Sequence, residues 1–256
     1  MTRIAIAGAL GRMGTLIIQE AAKAKDMALV AGLDAVGAGA ALPGGIIVRD
    51  ASELESVLRE SKPDVLIDFT IAGAAVNNVC TAANLGIDLV VGTTGFSPEQ
   101  HSQMKNAIEG HVAAVITPNF SLGVNVFWKL VADAAMALKD YDIEIIEAHH
   151  NQKKDAPSGT ALATVQAIKM ALGEKEVVYG REGLMPRGKE IGVHAVRGGD
   201  IVGDHTVLFA GSGERLEIKH QAHSRIGLAS GALRAVEWVV DKEPGIYSMA
   251  DVLKSR

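Results

Sequence analysis

Residues 4–14 read IAIAGALGRMG, and the fold is decided there. An apolar run enters glycines at positions 8, 11 and 14. The run from 3 to 8 has the length and content of a buried strand. RMGTLIIQEAAKA (12–24) carries the apolar spacing of a helix. Gly8, Gly11 and Gly14 therefore sit where a strand turns into a helix. Glycine there lets the chain turn tightly and lets backbone N–H groups approach a pyrophosphate, with the helix N-terminus facing its charge. The spacing is one residue longer than the usual dinucleotide fingerprint. The same glycines also serve helix–strand packing. The strand before them, the helix after them and an acid ending the next strand favour nucleotide binding.

Working outward, that pattern repeats. MALVAGLD (27–34) reads as a second strand, followed by a Gly-rich connection (37–45) and a shorter strand, GIIVRD (45–50). Helical and strand segments then alternate: 52–61 helix, 64–70 strand, 72–86 helix, 88–94 strand, 97–110 helix and 112–119 strand. Ser97 is placed to cap its helix, with Pro98 and Glu99 in the first turn. Apolar strands separated by helices imply a parallel sheet covered on both faces, hence a doubly wound, Rossmann-like α/β domain.

Asp34 ends the second strand. Its carboxylate suits the two ribose hydroxyls of NAD and repels a 2′-phosphate unless a cation lies beside it. Ala35 follows, and no Lys or Arg occurs between Asp34 and Arg49. Other candidate contacts fall at strand ends: Phe69 and Thr70, then Gly92, Thr93 and Thr94, then Thr117, Pro118, Asn119 and Phe120. Doubly wound sheets bind ligands along that edge.

The pattern changes near residue 120. A long helix is expected over 123–139, an alternating strand over YDIEIIEAHH (141–150) and a helix over 157–173. Glycine-punctuated β-like runs follow to about 225, then a helix over 227–242. This predicts a second α+β domain with a mixed sheet. Between its first strand and next helix lies EAHHNQKKDAPSGTA (147–161). Pro157 suits a first helical turn, and Ser158 or Asp155 suits the cap. Gly159 and Thr160 then offer N–H groups to an anion, Lys153 adds positive charge, and His149 or His150 titrates near neutrality. A dicarboxylate that accepts a hydride and then a proton fits this set. A metal is not expected, because adjacent strand histidines point to opposite faces.

Composition narrows the class. The 256 residues carry 48% hydrophobic and 21% charged residues and a net charge of −5, which argues against nucleic acid and anionic membranes as partners. Cys80 is the only cysteine, so no internal disulfide forms. No signal-peptide pattern or membrane-spanning run is visible, and a cytoplasmic location is expected.

The stretch EAHHNQKKDAPSGTA resembles the signature of the dihydrodipicolinate reductases, which reduce 4-hydroxy-tetrahydrodipicolinate in diaminopimelate and lysine biosynthesis. GALGRMG, DVLIDFT, VVGTTGF and TPNFSLGVNV extend the match over essentially the whole chain. The resemblance implies a dinucleotide-binding domain over 1–121, with 231–256 packing back on it. It implies a substrate-binding domain over 122–230 that also builds a homotetramer. His149 becomes the proton donor and acceptor, Lys153 a second proton donor, and His150, Gly159 and Thr160 substrate contacts. Gly8, Ala9, Leu10, Gly11, Arg12, Met13, Asp34, 92–94 and 117–120 become cofactor contacts. Members that use NADPH well often carry Arg after the second-strand acid. With Ala35 in that place, NADH is expected to serve at least as well as NADPH.

Two other readings fit part of the pattern. One is another nicotinamide oxidoreductase, such as a semialdehyde dehydrogenase, but its nucleophile would have to be Cys80, on a predicted helix of the first domain. The other is a nucleotide-sensing protein without catalysis, which has no use for His149, Lys153 and the Gly159–Thr160 turn.

Overall fold

The computed structural model describes residues 1–254. It divides into two compact units: Met1–Leu122 with the segment from Ile226 onward, and Gly123–Arg225. The break at 225/226 lies five residues before the return expected at 231, because residues 226–230 already belong to the final long helix.

The first unit begins with strands β1 (Thr2–Ala7), β2 (Met27–Asp34), β3 (Arg49–Asp50), β4 (Val65–Asp68), β5 (Asp88–Val91) and β6 (Ala113–Ile116). Between them lie helices α1 (Arg12–Ala21), α2 (Leu54–Ser61), α3 (Ala72–Asn84) and α4 (Pro98–Ile108). All strand pairs are parallel, in the order β6-β5-β4-β1-β2-β3. The strands are nearly continuous apolar runs because both faces are covered. Ile4, Ile6, Val65, Ile67 and Val90 pack with Ile17 and Ile18 of α1. Their neighbours Ala5, Leu66, Leu89 and Val91 point the other way, into Val57, Leu58, Val79, Met104 and Ile108 of α2, α3 and α4. Each such buried aliphatic side chain contributes about 1.5–3 kcal/mol over leaving it in water. The α4 cap is reciprocal: Gln100 N–H donates to Ser97 Oγ (3.2 Å) and Ser97 N–H to Gln100 Oε1 (2.8 Å). The expected strand over 45–50 is mostly a loop. Residues 43–45 form a 3₁₀ turn with Gly44 and Gly45 at positive φ, Ile47 makes an isolated antiparallel bridge with Ala41, and Arg49–Asp50 pairs with β2.

The second unit holds α5 (Leu122–Ala137), β7 (Asp142–His149), α6 (Gly159–Leu172), β8 (Val177–Tyr179), β9 (Ile191–Arg197), β10 (Gly203–Ala210) and β11 (Arg215–Ala222). Its sheet order is β11-β10-β7-β9-β8, antiparallel on the β10 side of β7 and parallel on the β9 side. The sheet is mixed, as the glycine-punctuated pattern predicts. Alternation along β7 sends Ile143 and Ile145 into a core with Phe127, Val131, Val165, Ile168, Val207 and Phe209. The other side of β7 carries Glu144 and exposed Ile146. There Glu144 receives Arg181 (2.9 Å), Arg187 (3.1 Å) and His194 (2.8 Å).

The chain then returns to the first sheet. Helix α7 (Ile226–Val239) joins the α1 side, where Ala229, Ala232, Val236 and Val239 are buried. Gly231 is required there, since a Cβ would fall 1.9 Å from the Phe120 carbonyl oxygen. Strand β12 (Gly245–Tyr247) adds a seventh parallel strand beside β6, and α8 (Met249–Lys254) follows. Neither was expected from the sequence. Among the described residues no helix is long and apolar enough to cross a membrane.

Candidate active site

In the first unit the strand order reverses between β1 and β4, and their ends lie level, Ala7 beside both Leu33 and Asp68. Ligands bind such sheets at that reversal. Gly8 has φ +80°, and the N–H groups of Gly8 and Ala9 both donate to the Leu33 carbonyl (2.9 and 3.0 Å). A Cβ on Gly14 would lie 2.1 Å from the Gly8 carbonyl oxygen, so Gly14 serves helix–turn packing. Gly11 is different. It is exposed, its Cβ would meet protein only at 3.2 Å, and it starts α1 with no side-chain cap. The N–H groups of residues 8–11 donate within the protein, so what the turn offers a pyrophosphate is the uncapped start of α1, with no Cβ on Gly11 to shield it. Asp34 stands over it. Its Oδ2 accepts from Leu10 N–H (2.9 Å) and its Oδ1 from Val36 N–H (3.3 Å), leaving further lone pairs for hydroxyl donors.

Asp68 organises the adjacent strand ends and escaped the sequence reading. It is fully buried. Its Oδ1 accepts from Thr70 N–H (3.0 Å), Thr70 Oγ1 (2.8 Å) and Thr93 Oγ1 (2.7 Å), and its Oδ2 from Asn78 (2.7 Å). Gly92 makes room for the Phe69 ring, which would lie 2.1 Å from a Cβ there. Phe69 in turn packs against Phe120 at 5.6 Å. Leu10, Arg12, Thr94 and Pro118 are exposed, Met13 and Asn119 half-buried, and Thr93 and Thr117 nearly covered. Two of the candidates have core side chains. Ala9 is 0% and Phe120 1% exposed, both inside the α1-side core. Their side chains shape the turn and the strand end.

In the second unit the site grows from the alternation of β7. The inward register that carries Ile143 and Ile145 next carries Glu147 and then His149, so the core turns polar at its end. Glu147 is fully buried and both its oxygens are used. Oε2 accepts from His149 Nδ1 (2.6 Å) and Arg197 Nη1 (2.8 Å), and Oε1 from Arg197 Nη2 (2.8 Å) and Ser158 N–H (2.9 Å). Burial alone would raise its pKa, yet these donors hold it below the usual carboxylate value. An ionised carboxylate only accepts, so His149 carries its proton on Nδ1 and keeps Nε2 for exchange. Backbone crowds that nitrogen on one side, for a Cβ on Gly203 would lie 3.0 Å from it. Burial pushes the His149 pKa down; the Glu147 carboxylate opposes this, and Lys153 and Arg197 add to the depression.

Helix α6 supplies the anion end. Ser158 is its N-cap and accepts from Ala161 N–H at 3.2 Å. Pro157 therefore precedes the cap, after a cis peptide bond, and is not in the first turn. Gly159 is exposed and Thr160 half-buried at the helix start, which has no acid in its first turn. Lys153 Nζ meets both oxygens of Asp155, at 2.8 and 2.9 Å. His150 is half-buried beside this turn. Behind His149 lies His205, whose ring meets it edge-on at 5.2 Å and whose Nε2 is 3.1 Å from Ser158 Oγ. Burial and the neighbouring His149 lower the His205 pKa to about 4, so it is neutral at pH 7. Glu147 and His205 were readable in principle, as polar residues at inward positions of alternating strands. Arg197 has no local signal.

The arrangement offers an ionisable nitrogen, a lysine and a helix N-terminus around one end of a sheet. A small anion that gains a proton is the ligand this suits.

The chain is similar to known proteins along its whole length. The family model "Dihydrodipicolinate reductase, N-terminus" matches residues 2–120, and "Dihydrodipicolinate reductase, C-terminus" matches 123–253. A 4-hydroxy-tetrahydrodipicolinate reductase of Methanosarcina barkeri is 59% identical, over 99% of both chains. One of Methanoregula boonei is 54% identical, over 99% of this chain and 98% of its own. Among solved structures, a dipicolinate-bound dihydrodipicolinate reductase from Paenisporosarcina sp. TG-14 superposes with a TM-score of 0.82 at 29% identity, covering 97% of each chain. An amine dehydrogenase from Mycobacterium smegmatis, at 13% identity and a TM-score of 0.61, shares the fold.

Proposed function

The chain belongs to the dihydrodipicolinate reductase family, and we propose that His149 is its proton donor and Lys153 the cation that meets its substrate. The enzyme is an oxidoreductase that reduces 4-hydroxy-tetrahydrodipicolinate to tetrahydrodipicolinate, with loss of water, in the diaminopimelate and lysine pathway. It uses a nicotinamide cofactor, which supplies the hydride.

The chain's own residues do the rest. The uncapped start of α1, left unshielded by Gly11, receives the pyrophosphate, and Asp34 receives the ribose hydroxyls. Leu10, Arg12, Met13, Thr94, Pro118 and Asn119 line the same strand edge. The exposed Gly159 and the Thr160 beside it bind one ring carboxylate at the N-terminus of α6. Lys153 leaves Asp155 for a carboxylate of the ring, and His150 flanks it. A dicarboxylate ring in this place is supported by the dipicolinate bound to the 29% identical relative. After the 4-hydroxyl leaves as water, a hydride arriving at C4 pushes an electron pair toward the ring nitrogen. One proton balances that charge, and His149, doubly protonated, delivers it from Nε2 and returns to the neutral Nδ1–H form. Lys153 and the α6 amides stabilise the negative charge while it develops.

The observation that carries the proton assignment is the 2.6 Å contact between His149 Nδ1 and buried Glu147, which fixes the tautomer and leaves Nε2 as the exchanging atom. We further read the cofactor as NADH at least as readily as NADPH, from Asp34 followed by exposed Ala35. The assembly is read as a homotetramer working in the cytoplasm. Its support is the β7 sheet face opposite α5 and α6, where Ile146 and Val196 stay exposed.

The test is oxidation of NADH and of NADPH with and without 4-hydroxy-tetrahydrodipicolinate. Substrate-dependent oxidation is expected. His149→Gln should lower turnover by roughly 10²–10⁴-fold, the range for losing a general acid, with the cofactor KM nearly unchanged. Lys153→Ala should raise the substrate KM and lower kcat together. Near-normal turnover in His149→Gln would move the proton role to another group.

A further inference from the structure

Strands β7 and β9 are parallel, with His149 directly beside Arg197. Arg197 does not point away from its neighbour. Its guanidinium reaches back to Glu147 with two parallel hydrogen bonds of 2.8 Å, one to each oxygen. Nη1 also donates to the Val196 carbonyl, and Nη2 to the Asp155 carbonyl, each at 2.6 Å. Asp155 is the residue whose carboxylate holds Lys153. One planar fork thus joins the carboxylate behind His149 to the backbone of the turn that carries Lys153. A compact ammonium lacks that geometry.

We propose that Arg197 is a positioning residue for the proton step, keeping Glu147 aligned on His149 Nδ1 and tying the His149 strand end to the Lys153 turn. The proposal rests on reading His149 and Lys153 as the proton-bearing pair. Without Arg197, a fully buried carboxylate would keep only two of its donors, Ser158 N–H and His149, and no fixed positive charge. Its alignment on His149 Nδ1 would be lost, and with it the control of the His149 tautomer. With Arg197 in place both conditions are met before substrate arrives, which is what preorganisation of a proton donor requires.

The groups that set the proton affinity of His149 are few. Glu147 lies on its own strand, Arg197 on β9 and His205 on β10, with Lys153 and its partner Asp155 on the turn. Glu147 favours the charged imidazole, while Arg197 and Lys153 disfavour it. Removing Glu147 and removing Arg197 should therefore move His149 in opposite directions. A purely structural arginine has no such signature.

The experiment titrates the His149 imidazole by ¹⁵N-resolved NMR in the intact protein. Wild type is compared with Glu147→Gln, Arg197→Met and Arg197→Lys, and kcat and KM are measured for each. Glu147→Gln is expected to shift the His149 midpoint down and Arg197→Met to shift it up. In Arg197→Met, kcat should fall about 10–100-fold, less than the loss of the acid itself, with the cofactor KM unchanged. An unpaired buried carboxylate destabilises a core, so Arg197→Lys is measured beside it. It should keep the midpoint near wild type and still lose about tenfold in kcat, because one ammonium cannot hold Glu147 and the Asp155 carbonyl together. If Arg197→Met does not fold, full kcat in Arg197→Lys overturns the proposal. Unchanged midpoints in both arginine variants overturn it as well. A wild type without reductase activity would sink the functional reading, while the titration would still decide the role of Arg197.

Discussion

The carboxylate of Asp34 accepts a hydrogen bond from the backbone N–H of Leu10 at 2.9 Å, across the glycine turn. The residue that ends the second strand therefore holds the glycine turn in shape as well as standing where we propose that the ribose binds. Its two tasks make different demands on a substitution. A ribose reader can be exchanged to alter cofactor choice, whereas a loop brace cannot be removed without harm to both cofactors.

Asp34→Ala should accordingly raise the KM for NADH by about 10–100-fold, the equivalent of one hydrogen bond to a charged group. The KM for NADPH should rise too, by less, because repulsion of the 2′-phosphate is relieved at the same time. Steady-state titration of both cofactors decides the matter. Improved use of NADPH would mean that the Leu10 contact contributes nothing.

Ala35→Arg leaves the brace intact and adds the missing cation. It should move preference toward NADPH by about 1.5–3 kcal/mol at most, if one charge-assisted hydrogen bond forms. Wild type should use NADH at least as well as NADPH. A tenfold or larger wild-type preference for NADPH would contradict this. It would also single out Arg12, which is exposed at the start of α1 and makes no hydrogen bond or ion pair among the described residues.

Stability should depend on pH through His205. Its pKa is lowered from 6.5 to about 4 in the folded chain. Between those values the unfolded chain binds the proton and the folded chain does not. Stability is thus complete above about pH 6.5 and is lost progressively as pH falls toward 4, by about 3 kcal/mol from this residue. His149 and His220, lowered by burial in the same direction, add to the slope. Denaturant unfolding at pH 7, 6 and 5 should show a shallower loss in His205→Gln than in wild type. Equal slopes would place the titration elsewhere.

The sequence made legible whatever is local. The β1 turn, the alternating strands and helices through residue 119 apart from the 45–50 segment, the Ser97 cap and the polar connection at 150–158 between β7 and α6 each follow from neighbours in the chain. What stayed hidden is held together through space. Arg197 meets Glu147 fifty positions away, and nothing in VRGGD announces it. Asp68 looked like one more strand residue until Asn78 and Thr93 converged on it. Ala9 and Phe120 stand among ligand-facing neighbours and are nevertheless core, since adjacent residues in a turn or strand end face different ways. Strand β12 is three residues long and becomes a strand only because the edge of β6 is there to receive it.

That last strand bears on how the chain is made. Synthesis delivers β6 about 130 residues before Gly245–Tyr247, the segment that pairs with it. Throughout that interval the N–H and C=O groups along one side of β6 have no partner strand, and the apolar face awaiting α7 is uncovered. Residues 123–225 close their own sheet and core meanwhile, from contacts made entirely among themselves. The first unit, although its sheet is begun first, is the one completed last. A ribosome stalled anywhere between residues 123 and 226 exposes an open parallel sheet edge, the surface on which nascent chains associate with one another.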